Sequence, residues 1–376
     1  MTRPHQRRLA LLVCLIPAAL AGVARADDAI AWRDVRSLTI EGQGWTDLKS
    51  PFDRLPAKAE GVVRPPVWGN SRNSAGICVR FVTDSPAIHA RWTLTSKNLA
   101  MPHMPATGVS GLDLYARDDD GHWRWVAVGI PGGVENSKPL VQGLKEGSRE
   151  YLLYLPLYNG VSAVEVGVPE GRSLAPGEPR KPERARPIVF YGTSITHGGC
   201  ASRPGMAYPA IIGRRLEVPV INLGFSGSGT MDQSMSDLLV ELDAAAYVID
   251  CLPNMNAEAV AERTEPLVKT IRKSRPNAPI VLVEDRFYTN GYFVEGQRRH
   301  NEANHAALRA AYDRLLAEGV KHLHYIEGAP QLGDDGEATV DSSHPTDLGF
   351  MRMADYFTPA LSAIISEPSN APAARP

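Results

Sequence analysis

Cysteine, excess positive charge and long apolar runs are all scarce in this sequence. Lysine and arginine together number 40 against 42 acidic residues, and they form no basic stripe. Nucleic acid and anionic membrane surfaces are therefore not expected as partners. After residue 26 no apolar run is long enough to span a bilayer, so we expect no membrane anchor. The sequence also contains no internal repeat.

The one long apolar run lies near the N-terminus. Arginines at positions 3, 7 and 8 precede the apolar run 9–23, and Ala24-Arg25-Ala26 is a small-x-small cleavage site. This pattern is typical of a secretory signal peptide over residues 1–26, so we expect a periplasmic or secreted protein that begins near Asp27. Residues 1–26 contain four arginines and no acid, so their removal changes the formal charge from −2 to about −6.

Three of the four cysteines lie after the predicted cleavage site: Cys78, Cys200 and Cys251. An odd number leaves at least one thiol unpaired in an exported protein. A disulfide between Cys200 and Cys251 is one possibility, and buried free thiols are the other.

The hydrophobic pattern changes midway along the chain. Residues 27–168 contain short alternating stretches without helical runs, which predicts a β-sandwich domain. Residues 169–186 are rich in Pro, Gly, Arg and Glu and are predicted to be a linker. Residues 367–376, rich in Pro and Ala, are predicted to be a disordered tail. The predicted sandwich strands are 37–40, 76–82, 88–94, 111–115, 123–128, 150–155 and 163–167.

Residues 187–366 alternate between strand-like and helix-like segments. This alternation predicts an α/β domain with a doubly wound, flavodoxin-like, mainly parallel sheet. Such folds bind ligands beyond the carboxyl ends of the strands. Ser194, Gly227 and Asn254 each follow a different predicted strand and are expected to converge on one crevice. The predicted strands are 188–191, 218–223, 246–252, 280–284 and 322–327, and the predicted helices are 208–216, 232–242, 257–274, 302–318 and 347–365.

Ser194 and His344 are the residues that indicate a chemistry. Ser194 ends a strand-like run, and Asp341 lies three residues before His344 near the last predicted helix. A serine hydroxyl becomes a nucleophile when an imidazole takes its proton, and an acid orients that imidazole. The pattern predicts a serine esterase with Ser194 as nucleophile, His344 as base and Asp341 as the orienting acid. Taken alone, Asp341 and His344 could instead begin the last helix, and Asn254 could cap a helix.

Four blocks in fixed order resemble those of the SGNH, or GDSL-type, hydrolases: 192–196, 222–227, 252–255 and 341–345. The resemblance implies that the backbone N–H groups of Ser194 and Gly227 and the side-chain amide of Asn254 bind the oxyanion. Thr193 replaces an acid that is not the triad acid in the family. Met255 replaces the acid after Asn254, which would change how that asparagine is held.

The N-terminal region resembles the β-sandwich found ahead of some SGNH hydrolases, with the stretch Gly111-Leu-Asp-Leu-Tyr115. Exported proteins of this two-domain kind include carbohydrate esterases. The resemblance implies a serine esterase without cofactor or metal that hydrolyses short acyl esters, in particular acetyl esters of a carbohydrate. Two alternatives stay open: a lipid or thioester hydrolase of the same family, and a carbohydrate-binding protein with an inactive hydrolase domain. The alcohol part of the substrate and the oligomeric state are not predicted.

Several other patterns are assigned ordinary roles. The glycines of 224–229 do not have dinucleotide-binding spacing. His322 and His324 lack a third ligand for a metal. His197 is predicted to be a solvated loop residue, whereas residues 284–286 could supply polar contacts at the cleft edge. For Trp68, Trp123 and Trp125 a core position is favoured over stacking on sugar rings.

Overall fold

A computed structural model describes residues 29–367. The predicted signal peptide, its cleavage site and nearly all of the predicted tail lie outside these residues. The strands are β1 Ile30–Asp34, β2 Thr39–Glu41, β3 Cys78–Thr83, β4 Ala87–Leu94, β5 Leu112–Arg117, β6 Trp123–Gly129, β7 Glu135–Gln142, β8 Arg149–Tyr154, β9 Val161–Pro169, β10 Leu174–Pro176, β11 Ile188–Gly192, β12 Val220–Gly224, β13 Ala246–Asp250, β14 Ile280–Val283 and β15 Leu323–Ile326. The α-helices are α1 Pro65–Ser71, α2 Ala106–Val109, α3 Ser194–His197, α4 Tyr208–Leu216, α5 Gln233–Leu239, α6 Ala257–Ser274, α7 Glu295–Ala317 and α8 Asp347–Ile365.

The N-terminal region contains two antiparallel sheets that share one core. One has the strand order β1-β9-β4-β7, and the other has the order β10-β3-β8-β5-β6, with β2 paired to β3. Strand β4 alternates, so that Ile88, Ala90, Trp92 and Leu94 face the core. The other sheet contributes Phe81 and further apolar side chains to the same core. The predicted sandwich is confirmed.

Five elements of this region were not predicted: β1, β7, β10, α1 and α2. Strand β10 lies inside the segment 169–186 that was predicted to be a linker, and it pairs antiparallel with β3. That part of the linker prediction is wrong, because β10 is held by backbone pairing at a sheet edge, which leaves no apolar period. Strand β7 is also an edge strand and contains Pro139.

The C-terminal region contains a five-stranded parallel sheet with the order β12-β11-β13-β14-β15. Numbered within this region the order is 2-1-3-4-5, which is the flavodoxin-like arrangement and confirms the predicted fold class. All five residues of β11 are buried, as expected for a central strand with helices on both faces. The strand order reverses at β11, so the crevice for a ligand lies at the carboxyl ends of β11 and β13.

Part of the N-terminal region packs directly on this parallel sheet. Trp45, Leu55, Val63 and Val67 belong to the same buried cluster as residues of β11, β12 and β13. Met104, Val109 and Leu157 join a second cluster, with residues of α4 and α8. Residues 45–67, which the sequence places within the sandwich domain, thus cover a face of the parallel sheet.

Among residues 29–367 no helix has the length and apolar character needed to cross a membrane.

Candidate active site

Ser194 sits at the turn between β11 and α3. Thr193 is extended and buried, and its hydroxyl oxygen accepts a hydrogen bond from the N–H of Ile195 at 3.2 Å, which caps the short helix. The threonine that departs from the family pattern therefore has a local structural role. Ser194 is 9% exposed, and its Oγ lies 2.8 Å from Nε2 of His344.

Asp341 holds the other side of the His344 ring. Its Oδ2 lies 2.8 Å from Nδ1 of His344, and its Oδ1 accepts from the backbone N–H groups of Ser343 at 3.1 Å and His344 at 2.8 Å. Partial burial acts to raise the pKa of Asp341, but these hydrogen bonds outweigh it and hold the pKa below its ordinary value. The carboxylate therefore stays ionised beside the imidazole at neutral pH.

The alternative that Asp341 and His344 only begin the last helix is wrong. Helix α8 begins at Asp347, and its cap is Thr346, whose hydroxyl accepts from the N–H of Gly349 at 3.4 Å.

The sequence allows polar contacts from residues 284–286 at the cleft edge, but Arg286 and Asp285 instead support the turn that carries His344. Arg286 is 1% exposed and donates from Nε to the carbonyl oxygen of Ser343 at 3.1 Å and from Nη2 to its hydroxyl at 2.5 Å. Nη1 of Arg286 pairs with buried Asp285 at 3.1 Å, and Asp285 also accepts from Asn301 of α7 at 2.7 Å. This buried network fixes the position of Ser343 between the acid and the imidazole.

The predicted oxyanion donors lie in two neighbouring turns. Gly227 has φ +64°, and a Cβ there would meet nothing within 4 Å, so its backbone conformation rather than space favours glycine. Among the described residues, the N–H groups of Ser194 and Gly227 donate to no protein acceptor. Asn254 ends a 3-10 turn after β13, and its amide is satisfied when Oδ1 accepts from the N–H groups of Ser228 at 3.0 Å and Gly229 at 3.2 Å. Its NH₂ then faces away from that turn.

Asn254 does not cap a helix, which removes the alternative role for it. The cap of α6 is Asn256, which accepts from the N–H of Ala259 at 2.9 Å. Met255 packs its side chain into the core, and its carbonyl oxygen accepts from Asn304 at 2.9 Å. An apolar residue at this position suits a buried site that would otherwise hold an unpaired acid.

The prediction for His197 is wrong, since this residue is fully buried. Its Nε2 lies 2.6 Å from the carbonyl oxygen of Leu157 and must carry the proton, and its ring stacks on Tyr158 at a centroid distance of 4.1 Å. Burial, together with the charge of Arg54, lowers the pKa of His197 well below its ordinary value. Tyr158 donates to the carbonyl oxygen of Ser194 at 3.2 Å, so this stack supports the turn of Ser194.

Sequence reasoning missed His103 as a site residue. It lies in a loop of the N-terminal region, is exposed, and its ring centroid is 6.0 Å from that of His344. No local pattern marks it, because only the packing of the two regions brings the two rings together.

A polar cleft of about 660 Å³ opens beside Asn254. Its lining includes Arg64, Asp232, Arg263, Tyr288 and His300. A larger cleft of about 1020 Å³, lined by Arg117, Arg180 and others, contains none of the predicted site residues.

The structure also bears on the sequence predictions for the cysteines, the tryptophans and the possible metal ligands. Cys78, Cys200 and Cys251 are buried free thiols, so the disulfide alternative is wrong. Trp125 is 51% exposed, which contradicts a core position for that tryptophan. Among the described residues, the one group of three potential metal ligands within reach of each other lies on the exposed β5–β6 turn and includes neither His322 nor His324.

The stretch 111–115 links the two regions through the segment that follows Ser194 and α3. Asp113 is buried and its Oδ2 accepts from Nη1 of Arg203 and from the N–H of Gly205, both at 2.8 Å. Its Oδ1 accepts from the indole of Trp125 at 3.0 Å. The residues 203–205 follow the turn of Ser194, so this carboxylate ties the sandwich to the site.

Comparison with known proteins matches both regions. The model for the GDSL-like Lipase/Acylhydrolase family matches residues 185–362, and the GxDLY model, the N-terminus of Esterase_SGNH_hydro-type, matches residues 30–174. A crystal structure from Bacteroides ovatus ATCC 8483 classed as a GDSL-like lipase is 37% identical, with a TM-score of 0.84, and the match covers 90% of this chain and 98% of that one. The chain belongs to the GDSL-like lipase/acylhydrolase family.

Two more distant structures share the fold of this GDSL-like hydrolase. A salicylyl-acyltransferase from a tetracycline biosynthetic pathway is 20% identical with a TM-score of 0.72, covering 91% of this chain and 99% of that one. A family two carbohydrate esterase from Cellvibrio japonicus is 13% identical with a TM-score of 0.57, covering 90% and 98%. Among curated proteins no match was found.

Proposed function

We propose that this GDSL-like hydrolase is an exported, metal-independent serine esterase that forms an acyl-enzyme on Ser194. The observation that carries the proposal is the continuous chain from Ser194 Oγ through both nitrogens of His344 to Asp341, with 2.8 Å at each step. A nucleophile, a base and an orienting acid are the groups that serine-type acyl transfer requires.

In this mechanism His344 Nε2 takes the Ser194 proton as Oγ bonds to the acyl carbon. The tetrahedral oxyanion accepts hydrogen bonds from the N–H groups of Ser194 and Gly227 and from the NH₂ of Asn254. His344 then gives its proton to the leaving alcohol as the ester C–O bond breaks. Water attacks the acyl-enzyme with His344 as base again, which releases the carboxylic acid and restores Ser194. Asp341 stays ionised and keeps the Nδ1 proton of His344 in place.

We further propose an acetyl ester of a carbohydrate as the substrate, outside the cytoplasm. The cleft beside Asn254 is lined by charged and polar side chains together with Pro253, Met255 and Ala259, a mixed lining that suits a hydroxyl-rich alcohol better than a long lipid chain. The fold shared with a carbohydrate esterase and the predicted signal peptide support the same choice. The alternative hypothesis, a lipid or thioester substrate, instead predicts an apolar wall at this cleft.

A second support comes from the loop before α7. Tyr292 and Phe293 are 89% and 86% exposed, and the loop that carries them is bonded to the His344 turn through the N–H of Thr289, which donates to Ser342 O at 3.0 Å. Exposed aromatic rings on a loop whose residue Tyr288 lines the cleft offer flat apolar faces on which sugar rings can stack.

The test is labelling and turnover of the mature protein. A fluorophosphonate should add one covalent label, and Ser194→Ala should remove both the label and ester hydrolysis, whereas Ser137→Ala, an exposed serine on β7, should change neither. EDTA should have no effect on turnover. Acetyl esters should be hydrolysed faster than butyryl and octanoyl esters, and acetate should be released from an acetylated hemicellulose. Full labelling of Ser194→Ala would refute the nucleophile, and rising kcat/KM with acyl length would favour the lipase alternative.

A further inference from the structure

The turn that carries Gly227 is held by side chains from the N-terminal region. The carbonyl oxygen of Ser226 accepts from Nδ2 of Asn70 at 3.2 Å. On the other side of Gly227, the carbonyl oxygen of Ser228 accepts from Nη2 of Arg64 at 2.8 Å. Asn70 lies in α1 and Arg64 precedes that helix, so one short element of the N-terminal region contacts both carbonyls that flank the glycine.

The bond from Asn70 determines where the Gly227 N–H points. The carbonyl of Ser226 and the N–H of Gly227 belong to one rigid, planar peptide unit, and in a trans unit the two groups point in opposite directions. None of the described peptide bonds is cis. A donor that holds the Ser226 oxygen on one side of the turn therefore directs the Gly227 N–H to the other side.

The orientation of the peptide unit 226–227 needs a restraint because residue 227 is a glycine. A residue without a Cβ adopts many backbone conformations, and no neighbour lies within 4 Å of where a Cβ of Gly227 would be. The turn is closed by the N–H groups of Ser228 and Gly229, which donate to the carbonyl of Phe225 at 2.8 and 3.0 Å, and the N–H of Phe225 donates to the carbonyl of Gly192 at 2.9 Å. None of these bonds uses an atom of the peptide unit 226–227. Asn70 supplies the restraint at the unit that ends in the predicted oxyanion donor.

Asn70 is itself firmly placed. Its NH₂ donates its other hydrogen bond to the carbonyl of Pro66 at 2.8 Å, and its own backbone carbonyl accepts from Nη2 of Arg54 at 2.6 Å. Arg54 is 1% exposed and also donates to the carbonyl oxygens of Asn222 at 3.0 Å and Gly224 at 2.7 Å, where β12 ends and the turn begins. The buried guanidinium therefore ties the backbone of Asn70 to the base of the turn that its side chain restrains.

We propose that Asn70 is a positioning residue that aims the Gly227 N–H at the oxyanion, so that the N-terminal region completes the oxyanion hole of the C-terminal one. This inference rests on the proposed function, in which Ser194 and Gly227 act together. Asn70 touches no reacting atom and acts only through the peptide unit 226–227.

The experiment compares Asn70→Asp and Asn70→Leu with the wild-type enzyme. Both variants keep the approximate shape of the side chain and lose the NH₂ donor. We expect kcat per fluorophosphonate-titrated site to fall about 10- to 100-fold, less than the ~10²–10³ caused by outright removal of one donor, with KM within about 2-fold. The Ki of a boronic acid, which forms a tetrahedral adduct on the serine, should rise by the same factor as kcat/KM falls.

Asn98→Asp is the matched control, because it makes the same chemical change at an exposed asparagine. It should leave kcat and the boronate Ki unchanged. A merely structural role for Asn70 would lower the melting temperature or the titrated fraction without lowering kcat per site, and that result would overturn the inference. Folded Asn70 variants with kcat within 2-fold of wild type would overturn it as well. If the wild-type enzyme itself takes no label at Ser194, the proposed function fails first and the inference fails with it.

Discussion

Asn254 and Asn256 are two residues apart in the sequence and have different surroundings. Asn256 caps α6, whereas the Asn254 amide is best satisfied with Oδ1 towards the turn that carries Gly227, an orientation that leaves its NH₂ for another acceptor. A helix cap contributes to the stability of the folded state, while an oxyanion donor contributes to the transition state. The pair therefore allows a matched comparison.

We expect Asn254→Ala to lower kcat by ~10²–10³ with little change in melting temperature, because it removes a donor to the developing oxyanion. Asn256→Ala should instead lower the free energy of unfolding by about 1 kcal/mol and leave kcat near the wild-type value. Steady-state kinetics and thermal unfolding of both variants measure the two effects. An Asn254→Ala enzyme that folds and keeps its kcat would exclude this asparagine from the oxyanion hole.

Asp250 is a buried carboxyl next to α3, the short helix that begins at Ser194. Its Oδ2 accepts from the hydroxyls of Tyr208 at 2.8 Å and Thr196 at 3.1 Å. Burial raises the pKa of Asp250 to about 7, although the bond from Tyr208 acts to lower it. Between pH 4 and 7 the unfolded chain releases this proton more readily than the folded one, so the free energy of unfolding falls as pH rises through this window. Above pH 7 this loss of stability persists.

Asp250→Asn should therefore raise the melting temperature at pH 8 and change it little at pH 4. An amide oxygen can still accept both hydroxyl bonds, while the buried charge is removed. Asp47→Asn, an exposed carboxyl, is the control and should show no such pH dependence. Equal effects of Asp250→Asn at both pH values would mean that Asp250 does not titrate in this window.

At the scale of elements, the loop between β14 and α7 couples an exposed aromatic pair to the His344 turn. Tyr292 and Phe293 stand edge to face at 5.0 Å, and Tyr288 at the base of the loop lines the polar cleft. The loop is anchored by the bond from Thr289 to Ser342 and by the hydroxyls of Thr289 and Thr339, which are 2.8 Å apart. The bonded residues at the foot of the loop thus hold its exposed tip near the turn that carries His344.

Tyr292→Ala with Phe293→Ala should lower kcat/KM on an acetylated polysaccharide about 5- to 150-fold, since stacking on aromatic rings contributes about 0.5–1.5 kcal/mol per contact. Hydrolysis of a small chromogenic acetate should change less than 2-fold. Leu348→Ala, another exposed apolar residue, serves as the control. Equal losses on polymer and on small ester would show that the loop affects the catalytic groups rather than glycan binding.

At the scale of the whole molecule, the two regions share a buried cluster and hydrogen bonds, so we expect them to unfold as one cooperative unit. Leu55 of the N-terminal region is fully buried in the cluster that covers the parallel sheet, and Arg54 next to it is bonded to the end of β12. Neither region can therefore unfold without exposing apolar surface or buried polar groups of the other. This differs from two domains joined by a flexible linker.

Leu55→Ala should lower the free energy of unfolding by about 2–5 kcal/mol, as expected for a cavity in a packed core. Circular dichroism and esterase activity should be lost at the same lower temperature. Leu316→Ala, an exposed leucine on α7, is the matched control. Two separate thermal transitions, or activity that survives loss of the sandwich signal, would contradict a single cooperative unit.

The fold class and the strands of the parallel sheet could be predicted because local sequence patterns mark them. A central strand such as β11 is buried on both faces and reads as a continuous apolar run, so it can be located from the sequence. Edge strands such as β7 and β10 are held by backbone pairing to a neighbour and have no comparable pattern. Their side chains carry little information about their structure.

The sequence by itself determined which residues are able to supply a nucleophile, a base and an acid, because these roles depend on residue type and on order along the chain. Only the tertiary structure decided that His103 lies beside His344, that Arg286 supports the His344 turn, and that Asn70 restrains the peptide before Gly227. These residues are far apart in sequence, and each has ordinary local surroundings along the chain. His103 and Asn70 are placed by the packing of the N-terminal region on the C-terminal one, whereas Arg286 and Ser343 meet within the C-terminal region. In both cases burial leaves polar groups that must find hydrogen-bond partners distant in sequence.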